Sequence, residues 1–266
     1  MMKRRTFVKA SLLSGCLSST VPFLNPAFGS VKQKASKPEY YELRVYSLKN
    51  ETQQKLVEDY FQNAAIPALN RLGSKNVGVF TEQQPTGQTK IYVIIPYKSL
   101  EDFTKTNERL LADAPFQQAG AAYLNAPATE PAYERIESSL LEAFTGMPKL
   151  EIPANQPRIF ELRRYESASE AAGKKKMEMF NKGEIAIFKR VGLTPVFFGE
   201  AIIGEMRPNL TYLLTFDDMA EHDRNWKTFG SDPEWKKISG MPEYADAKIV
   251  SNITRTFLIP TSYSQI

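Results

Sequence analysis

The sequence contains one cysteine and one histidine in 266 residues, and these two shortages exclude several kinds of site. A lone thiol, Cys16, cannot form an internal disulfide or a Cys-x-x-Cys metal site. A lone histidine, His222, excludes a three-histidine zinc site, and any Ser-His-Asp triad would have to use it. The sequence also has no glycine-rich phosphate loop, no Walker motif and no loop with the ligand spacing of a calcium site. We therefore predict no metal site.

Negative charge is absent from the first 29 residues, although the whole chain carries a net charge of +4. Four Lys and Arg residues lie in that segment, and removing them leaves 30 Lys and Arg residues against 30 Asp and Glu residues. A near-neutral body lacks the basic surface of a nucleic-acid-binding protein, so no nucleic-acid partner is predicted.

Residues 1–29 are predicted to be an export signal that is cleaved at the Gly29–Ser30 bond. Their apolar stretch is interrupted by Ser and Pro, and it is too short and too polar for a transmembrane span. Arg4-Arg5-Thr6-Phe7-Val8-Lys9 resembles the twin-arginine motif, which directs folded proteins to the periplasm. An alternative is an anchored lipoprotein, because Leu13-Ser14-Gly15-Cys16 resembles a lipobox in which the cysteine is lipidated.

The body of the chain contains one pattern twice. Tyr41-Glu42-Leu43-Arg44-Val45-Tyr46 returns 119 residues later as Phe160-Glu161-Leu162-Arg163-Arg164-Tyr165. Apolar positions downstream keep this offset, until a slip of one residue aligns Tyr92 with Tyr212. Near the end of each copy, Ser138 aligns with Ser251. A shared register over so many positions predicts two copies of one structural unit.

Each copy is predicted to fold as a βαββαβ unit, the ferredoxin-like arrangement. An alternating strand precedes an amphipathic helix that ends at a glycine, Gly73 or Gly192; two strands, a second helical region and a last strand follow. The helices of such a unit cover one face of its sheet, and two tandem units can bury the other faces together. We therefore predict an α+β fold, a pseudo-dimeric α/β barrel within one chain. The predicted segments are a flexible lead at 30–38, copy one at 39–145, a linker at 146–157, copy two at 158–260 and a tail at 261–266.

The first strand of each copy carries the residues that we predict to form a functional site. Successive strand residues point to opposite faces, so every second residue of the repeated motif lies on one face. These residues are Glu42, Arg44 and Tyr46 in copy one and Glu161, Arg163 and Tyr165 in copy two. We expect them to face the other copy, inside the barrel, while Leu43, Val45 and Leu162 face the helices.

Two interpretations of these six residues are open. Buried charge is costly unless it is paired, so the first is a set of Glu–Arg ion pairs that fix how the copies pack. The second is a polar pocket for an anionic or carbonyl-bearing small molecule, with a base of raised pKa. The predicted roles in that pocket are catalytic for Glu161, Glu42, Tyr165 and Tyr46, as bases and orienting donors, and substrate-binding for Arg163 and Arg44.

Several other polar or aromatic residues are expected to be structural. His222 is expected on the solvated surface of a helix, with haem ligation or a role as general base as the alternative. Trp226 and Trp235 are spaced for core packing on the second helical region. Lys174-Lys175-Lys176 is expected to be a solvated helix face, and Arg164 to extend to solvent at a strand end. Apart from the haem alternative, no cofactor is predicted.

Two motifs that occur in the same order in both copies resemble those of a known family. They are the strand motif Tyr-Glu-Leu-Arg-x-Tyr and the later motif Ser231-Asp232-Pro233-Glu234-Trp235, which has a partial copy at Asp113-Ala114-Pro115-Phe116. Together they resemble the NIPSNAP family over roughly residues 39–145 and 158–260. The resemblance implies the dimeric α/β-barrel architecture, whose related barrels include small monooxygenases and haem-binding enzymes. It implies no particular activity and no set of catalytic residues.

The residues and the resemblance together predict an exported protein that binds or acts on a small organic molecule in or at the mouth of its barrel. If the protein is an enzyme, cofactor-independent oxygenation or proton transfer is the expected chemistry. The alternatives are a non-catalytic structural or protein-interaction module, and a haem-binding barrel that uses His222. Beyond the pseudo-dimer, a further homo-oligomer is left open.

Overall fold

The structure is a computed structural model that describes residues 36–266. The predicted export signal at 1–29, its cleavage point, the lipobox cysteine and most of the predicted lead at 30–38 lie outside the described residues. Within residues 36–266, no helix is both long enough and apolar enough to cross a membrane.

Both copies have the predicted βαββαβ order, and the second helical region of each is divided into short helices. Copy one comprises β1 (Tyr40–Leu48), α1 (Glu51–Tyr60), α2 (Ile66–Arg71), β2 (Gly78–Glu82), β3 (Thr89–Tyr97), α3 (Leu100–Leu111), α4 (Ala114–Ala119), α5 (Ala121–Leu124) and β4 (Arg135–Ala143). Copy two comprises β5 (Ile159–Glu166), α6 (Glu170–Met179), α7 (Ile185–Arg190), β6 (Thr194–Ile203), β7 (Asn209–Phe216), α8 (Met219–Ser231), α9 (Pro233–Ser239), a 3₁₀ turn (Pro242–Tyr244), α10 (Asp246–Ile249) and β8 (Asn252–Pro260).

The helical regions of both copies begin and end at residues with local reasons to be there. Each region starts at a side chain that accepts a hydrogen bond from a backbone N–H of the first turn, which stabilises the helix end. These N-cap residues are Asn50, Ser99, Ser169 and Asp218. The first region ends near Gly73 or Gly192, whose φ angles of +99° and +85° favour glycine. The predicted glycine caps are confirmed.

The Asp-Pro-Glu-Trp motif begins α9 and ties the two helical regions of copy two together. Asp232 accepts hydrogen bonds from two backbone N–H groups of the first turn of α9, and it pairs with Arg190 of α7 at 2.8 Å. Trp235 packs against the core cluster of copy two. Copy one repeats the cap and the ion pair with Asp113 and Arg71, which lie 2.7 Å apart.

The first helical region of each copy contains one π-helical turn, at Phe61–Ala65 and at Phe180–Glu184. Copy one has Pro67 two residues after its turn, where copy two has Ala186. Because the turn is present in both copies, the proline does not cause it. Such turns are often found at functional sites, and a buried glutamate of the second turn is described below.

Strands β1 to β8 form a closed antiparallel barrel in the order β4-β1-β3-β2-β8-β5-β7-β6, with β6 returning to β4. Each copy contributes four neighbouring strands. The β2–β8 and β4–β6 pairs join the copies, so the sheet edges of one copy are covered by those of the other. The predicted pseudo-dimeric α/β barrel of two ferredoxin-like units is confirmed.

The barrel interior is packed with apolar side chains. Its cluster contains Tyr41, Phe80, Tyr92, Ile94, Leu141, Ala143, Phe160, Leu162, Val196, Phe197, Ala201, Leu213 and Leu258. Two further clusters lie between each half of the barrel and its own helices. The interior cluster draws on both copies, and it buries the sheet faces that the helices leave uncovered.

The predicted orientation of the repeated motif is wrong. Leu43, Val45 and Leu162 contact the interior cluster, whereas Tyr46 and Tyr165 belong to the clusters beneath the helices. Alternation along a strand decides which residues share a face, but it does not decide which face is which. Both faces of β1 and β5 are buried, so the apolar residues are not required to face the helices.

The hydrogen-bond register of β3 and β7 corrects the predicted one-residue slip. Val93 lies opposite Arg44, and Tyr212 lies opposite Arg163. The offset of 119 therefore continues, and Tyr212 corresponds to Val93 rather than to Tyr92. Tyr212 faces the helices while Tyr92 faces the interior, because residues one position apart point to opposite faces.

The register of the last strands corrects the alignment there too. Ser138 lies opposite Arg44, and Arg255 lies opposite Arg163. Ser138 therefore corresponds to Arg255 rather than to Ser251. The predicted alignment failed here because β4 and β8 are more exposed than the other strands. Their apolar pattern is therefore too weak to fix the alignment.

Candidate functional site

The six polar residues of the repeated motif lie in two separate clusters, one beneath the helices of each copy. The packed barrel core lies between the clusters, so the predicted convergence of the six residues inside the barrel does not occur. None of the six lines any of five cavities found in residues 36–266. Residues 36–266 contain no group of three or more His, Cys, Asp or Glu side chains that could hold a metal ion.

Glu42 is the centre of the cluster in copy one and is 5% exposed. Its carboxylate accepts hydrogen bonds from Nε and Nη2 of Arg44, at 2.6 and 2.9 Å. The hydroxyls of Tyr97 and Ser138 donate two more, at 3.1 and 2.8 Å. Glu42 therefore connects β1 to its neighbours β3 and β4, and its carboxylate has four donors.

These contacts hold Glu42 in its ionised form. Burial alone would raise the pKa of Glu42, but Arg44 and the hydrogen bonds from Arg44, Ser138 and Tyr97 outweigh burial and lower that pKa. Burial also opposes the charge of Arg44, while the carboxylate of Glu42 raises the pKa of Arg44 well above its usual value. A carboxylate with four donors and a lowered pKa is a poor proton acceptor, so the geometry favours an ion pair at Glu42.

Glu161 is the centre of the cluster in copy two and has no exposed surface. Nη1 of Arg163 donates to its Oε1 at 2.8 Å, and the indole Nε1 of Trp226 donates to its Oε2 at 3.0 Å. Nε2 of His222 lies 3.4 Å from the same Oε2. The guanidinium of Arg163 also lies over the Trp226 ring, 4.5 Å from a ring centroid. Trp226 packs in the core as predicted, and its N–H also joins α8 to β5.

The two motif tyrosines have different surroundings. The hydroxyl of Tyr165 accepts hydrogen bonds from Nη2 of Arg163 at 3.0 Å and from the hydroxyl of Tyr212 at 3.2 Å. The hydroxyl of Tyr46 instead accepts a long hydrogen bond of 3.5 Å from Tyr123. Of the two, Tyr165 is the one hydrogen-bonded to the arginine of its own motif.

The contacts of both clusters are those expected of the first interpretation, structural Glu–Arg ion pairs. That interpretation expected the ion pairs to fix how the two copies pack. In the structure, each pair instead joins elements of its own copy. The second interpretation, a pocket with catalytic residues Glu161, Glu42, Tyr165 and Tyr46 and substrate-binding residues Arg163 and Arg44, stays a prediction.

His222 is 6% exposed, and the expectation of a solvated helix surface is wrong. Its acidic neighbours in sequence suggested solvent, but positions 222, 226 and 229 form one stripe of α8 that packs on the sheet. Nδ1 lies 2.8 Å from Oδ1 of Asp223, Nε2 faces Glu161, and the ring packs between Phe216 and Phe257. Both ring nitrogens thus face carboxylates, and His222 lines none of the same five cavities of the described residues. These surroundings do not fit an axial haem ligand.

Copy two contains a second buried ion pair that the sequence reasoning missed. Nζ of Lys176 lies 3.4 Å from Oε2 of Glu184, and both residues are 2% exposed. The same Nζ lies 5.4 and 5.1 Å from the ring centroids of Tyr165 and Phe180. The prediction of a solvated lysine run is therefore wrong for Lys176. Burial raises the pKa of Glu184, although Lys176 acts in the opposite direction.

The repeat itself held the signal for this pair. At the offset of 119, Lys176 corresponds to Val57 and Glu184 corresponds to Ala65. Val57 and Ala65 are both buried in the core of copy one. A comparison of the copies position by position would have placed both charged residues on the buried face of their helical region.

The barrel has an opening at the end where β1 and β5 finish. A cavity of about 320 Å³ lies there, with Leu43, Val45 and Leu162 of the interior at its base. We call it the Arg164 cavity. Its other lining residues are Lys90, Tyr92, Glu137, Arg164, Glu205, Met206, Thr211, Thr254 and Thr256.

The rim of the Arg164 cavity carries ionisable groups of both signs. Arg164 pairs with Glu166 at 3.1 Å and keeps 35% of its side chain exposed, which agrees with its predicted place at a strand end. Lys90 forms no ion pair with any residue of the described range. The hydroxyl of Tyr92 donates to Glu82 at 2.7 Å, and burial together with Glu82 raises the pKa of Tyr92, which keeps it a neutral donor.

Sequence reasoning missed the Arg164 cavity because it assigned this face of the strands to the helices. The signal was the arginine itself, which stands where copy one has Val45. Once the face is known to line the barrel, a charged residue near the end of β5 indicates the position of a polar mouth.

The chain matches one protein-family model twice, over residues 41–144 and 160–265, and the model is described as NIPSNAP. The chain belongs to the NIPSNAP family. Because the two matches follow the two copies, this NIPSNAP chain is a tandem form, and the resemblance seen in the motifs is confirmed. No curated protein sequence matches the chain.

Solved structures extend the similarity to the whole barrel. A proposed monooxygenase from Fusobacterium nucleatum has a TM-score of 0.55 at 10% identity, covering 84% of this chain and 93% of its own. A proposed monooxygenase from Lactobacillus acidophilus has a TM-score of 0.53 at 10% identity, covering 84% of this chain and 94% of its own. An uncharacterised NIPSNAP-like domain protein from Burkholderia xenovorans, at 20% identity and a TM-score of 0.36, covers 40% of this chain and 88% of its own. At these identities the first two show a shared fold.

Proposed function

We propose that this NIPSNAP chain binds a small organic molecule in the Arg164 cavity. The observation that carries the proposal is an apolar base and an ionisable rim at the mouth of a packed barrel. Ligand sites are typically concave and mostly apolar, with a few polar groups that orient the ligand, and begin at about 300 Å³. Leu43, Val45 and Leu162 contact the apolar body of the ligand, while Arg164 and Lys90 bind a polar or anionic group.

We assign no reaction to the Arg164 cavity. The proposed monooxygenases share the fold at 10% identity, which supports a small-molecule barrel without specifying chemistry. Glu42 and Glu161, the predicted bases, do not border the cavity. A base acting on the bound molecule would have to come from the mouth itself, where Glu137 and Glu205 are the lining carboxylates.

Native mass spectrometry of molecules retained by the purified protein tests this proposal. Val45→Trp fills the cavity from its base, and the double variant Lys90→Ala/Arg164→Ala removes both cations of the mouth. Lys55→Ala is the matched control, because Lys55 is an exposed residue of α1 paired with Asp59. We expect the retained molecule to be lost in Val45→Trp, reduced in the double variant and unchanged in the control. The same retained molecules in all four proteins would contradict the proposal.

We also propose, from the sequence pattern alone, that residues 1–29 export the protein through the twin-arginine route. Fractionation of bacteria that express the full chain compares the wild type with Arg4→Lys/Arg5→Lys. We expect periplasmic protein to be lost in the double variant. Cys16→Ala distinguishes cleavage at Gly29–Ser30 from lipidation of Cys16. If Cys16 is lipidated, the variant should lose its membrane attachment; if the signal is cleaved, the variant should behave like the wild type.

A further inference from the structure

A second cavity lies at the opposite end of the barrel, between the linker and the C-terminal tail, with a volume of about 590 Å³. Phe160 of the barrel interior lines it, and Ile266 of the tail both lines it and packs against the interior cluster. We call it the Arg158 cavity. Its other lining residues are Ile152, Pro153, Ala154, Asn155, Gln156, Pro157, Arg158, Pro260, Thr261, Ser262, Ser264 and Gln265.

Arg158 is the cation of this cavity, and its guanidinium is poorly partnered. Nη1 donates to the hydroxyl of Thr215 at 3.2 Å, whereas the buried Nε has no hydrogen-bond partner. No carboxylate oxygen of residues 36–266 lies within 4 Å of this guanidinium. The other partly buried arginines of the described chain, Arg44, Arg163 and Arg164, each pair with a carboxylate. Arg158 is therefore the exception among them.

The equivalent position of copy one has the opposite charge and is satisfied. At the offset of 119, Arg158 corresponds to Glu39. The carboxylate of Glu39 accepts hydrogen bonds from the backbone N–H of Leu150 at 2.9 Å and from the hydroxyl of Tyr41 at 3.4 Å. Copy one thus uses its charged residue to hold the linker, while copy two leaves its cation facing a cavity.

The polar groups near Arg158 have other partners. Asp217, just beyond β7, accepts a hydrogen bond from Nε2 of Gln156 at 2.6 Å. Gln265 and Ser264 bond the backbone of Val77 and Val79, which fastens the tail to β2. The walls of the cavity are therefore held in place without any contribution from the guanidinium.

We propose that the Arg158 cavity binds the carboxylate of a small organic anion, with the apolar part of the anion against Phe160 and Ile266. A guanidinium presents N–H donors in a planar fork that matches a carboxylate. Within residues 36–266, the guanidinium of Arg158 uses only Nη1 in a hydrogen bond, to the hydroxyl of Thr215. This site is distinct from the Arg164 cavity, because Arg158 and Arg164 lie six residues apart at opposite ends of β5, about 20 Å along an extended strand.

Isothermal titration calorimetry of the whole protein with octanoate, and with octan-1-ol as the uncharged equivalent, tests the proposal. We expect octanoate to bind more tightly than octan-1-ol. Arg158→Gln, which keeps a donor for Thr215, should raise the dissociation constant for octanoate about tenfold or more and leave octan-1-ol little changed. Arg164→Gln reports any binding of octanoate at the other mouth. Arg224→Gln is the matched control, because Arg224 is an exposed arginine of α8 that lines neither cavity, and it should leave octanoate binding unchanged.

A second variant keeps the test decisive if Arg158→Gln fails to fold. Ser262→Trp fills the cavity from an exposed position in the tail and leaves Arg158 in place; it should also abolish octanoate binding. Octanoate that does not bind, or that binds equally to the wild type and both variants, would overturn the proposal. Loss of octanoate binding in Arg164→Gln but not in Arg158→Gln would also overturn it and would assign the ligand to the Arg164 cavity.

Discussion

The two copies share one backbone design but differ in what fills the space between sheet and helices. Both have N-capped helices, a π-helical turn and an Asp–Arg pair between helical regions. Both copies fill much of the space with aromatic rings, such as Tyr60 and Tyr123 of copy one, which stack at 3.8 Å between centroids. Copy two also places Lys176, Glu184 and His222 there. The features that shape the backbone are the same in both copies, whereas the buried contacts differ between them.

The Glu–Arg pairs of the two copies also differ, in how deeply they are buried. Glu42 shares its carboxylate with Ser138, an exposed residue of β4, and Arg44 keeps 20% of its side chain exposed. Glu161 has no exposed surface, and α8 covers it through Trp226. Breaking a fully buried pair leaves an uncompensated charge, so copy two depends more on charge pairing than copy one does.

The largest expected effect separates these two pairs. Glu161→Leu should lower the free energy of unfolding by about 3–5 kcal/mol, because Arg163 and the Trp226 N–H lose their acceptor in a buried site. Glu42→Leu should lower it by about 1–3 kcal/mol, because Arg44 and Ser138 keep access to water. Urea unfolding followed by circular dichroism measures both. Equal losses in the two variants would remove the distinction between the copies.

The Lys176–Glu184 pair tests whether copy two could use the apolar packing of copy one. Glu184→Leu should cost about 2–4 kcal/mol, since it leaves Lys176 without its buried partner. The double variant Lys176→Met/Glu184→Leu should recover this loss or exceed the wild-type stability, as buried pairs replaced by apolar side chains often do. Thermal and urea unfolding of both variants provide the check. A double variant no more stable than the single one would show that the pair is required.

The pH dependence of stability should have opposite signs at Glu42 and Glu184. The pKa of Glu42 is lowered, so its stabilisation is present above the carboxyl range of the unfolded chain and is lost as pH falls through its folded pKa. The pKa of Glu184 is raised by burial, so its site is most favourable at low pH and loses stability as pH rises through that pKa.

Unfolding free energies measured across the acid range test these signs with two matched variants. Relative to the wild type, Glu42→Gln should lose less stability on acidification. Relative to the wild type, Glu184→Gln should lose less stability as the pH rises towards neutral. The same direction of change in both variants would contradict the contrast between the copies.

The smallest expected effect concerns the feature that the copies share. Arg71→Ala and Arg190→Ala should each lower the melting temperature only slightly, because both arginines are about half exposed and solvent screens their ion pairs. Differential scanning calorimetry of the two variants should give nearly equal melting temperatures. A clearly larger decrease in melting temperature for either variant would show that the Asp–Arg pair contributes more to the stability of one copy than of the other.

Most of the fold could be predicted from the sequence, whereas little of the site could. The repeated first strand, the caps and the glycines follow from local patterns whose physical causes act within a few residues of each other. The two-unit barrel follows from the repeat, because two units can bury the sheet faces that their helices leave uncovered. The orientation of Glu42 and Glu161 could not be predicted in the same way, because both faces of their strands are buried. The burial of His222 and Lys176 depends on contacts between distant parts of the chain.

The two cavities illustrate the same limit. Arg164 and Arg158 are visible in the sequence as charged residues on and beside β5, but the sequence does not show that they lie at opposite mouths of the barrel. Their positions depend on the pairing of β2 with β8 and of β4 with β6, which joins residues more than 50 positions apart.

By itself, the sequence determined that this chain is one unit written twice, with charge balance in its body and its single cysteine in its first 29 residues. Propensity, capping and alternation are local, so one sequence suffices to establish them. Only the tertiary structure decided which side of each strand lines the barrel, which charges are paired, and where cations face open cavities. Those outcomes depend on which surfaces meet, and burial of both faces of a strand removes the contrast between water and core on which sequence patterns depend.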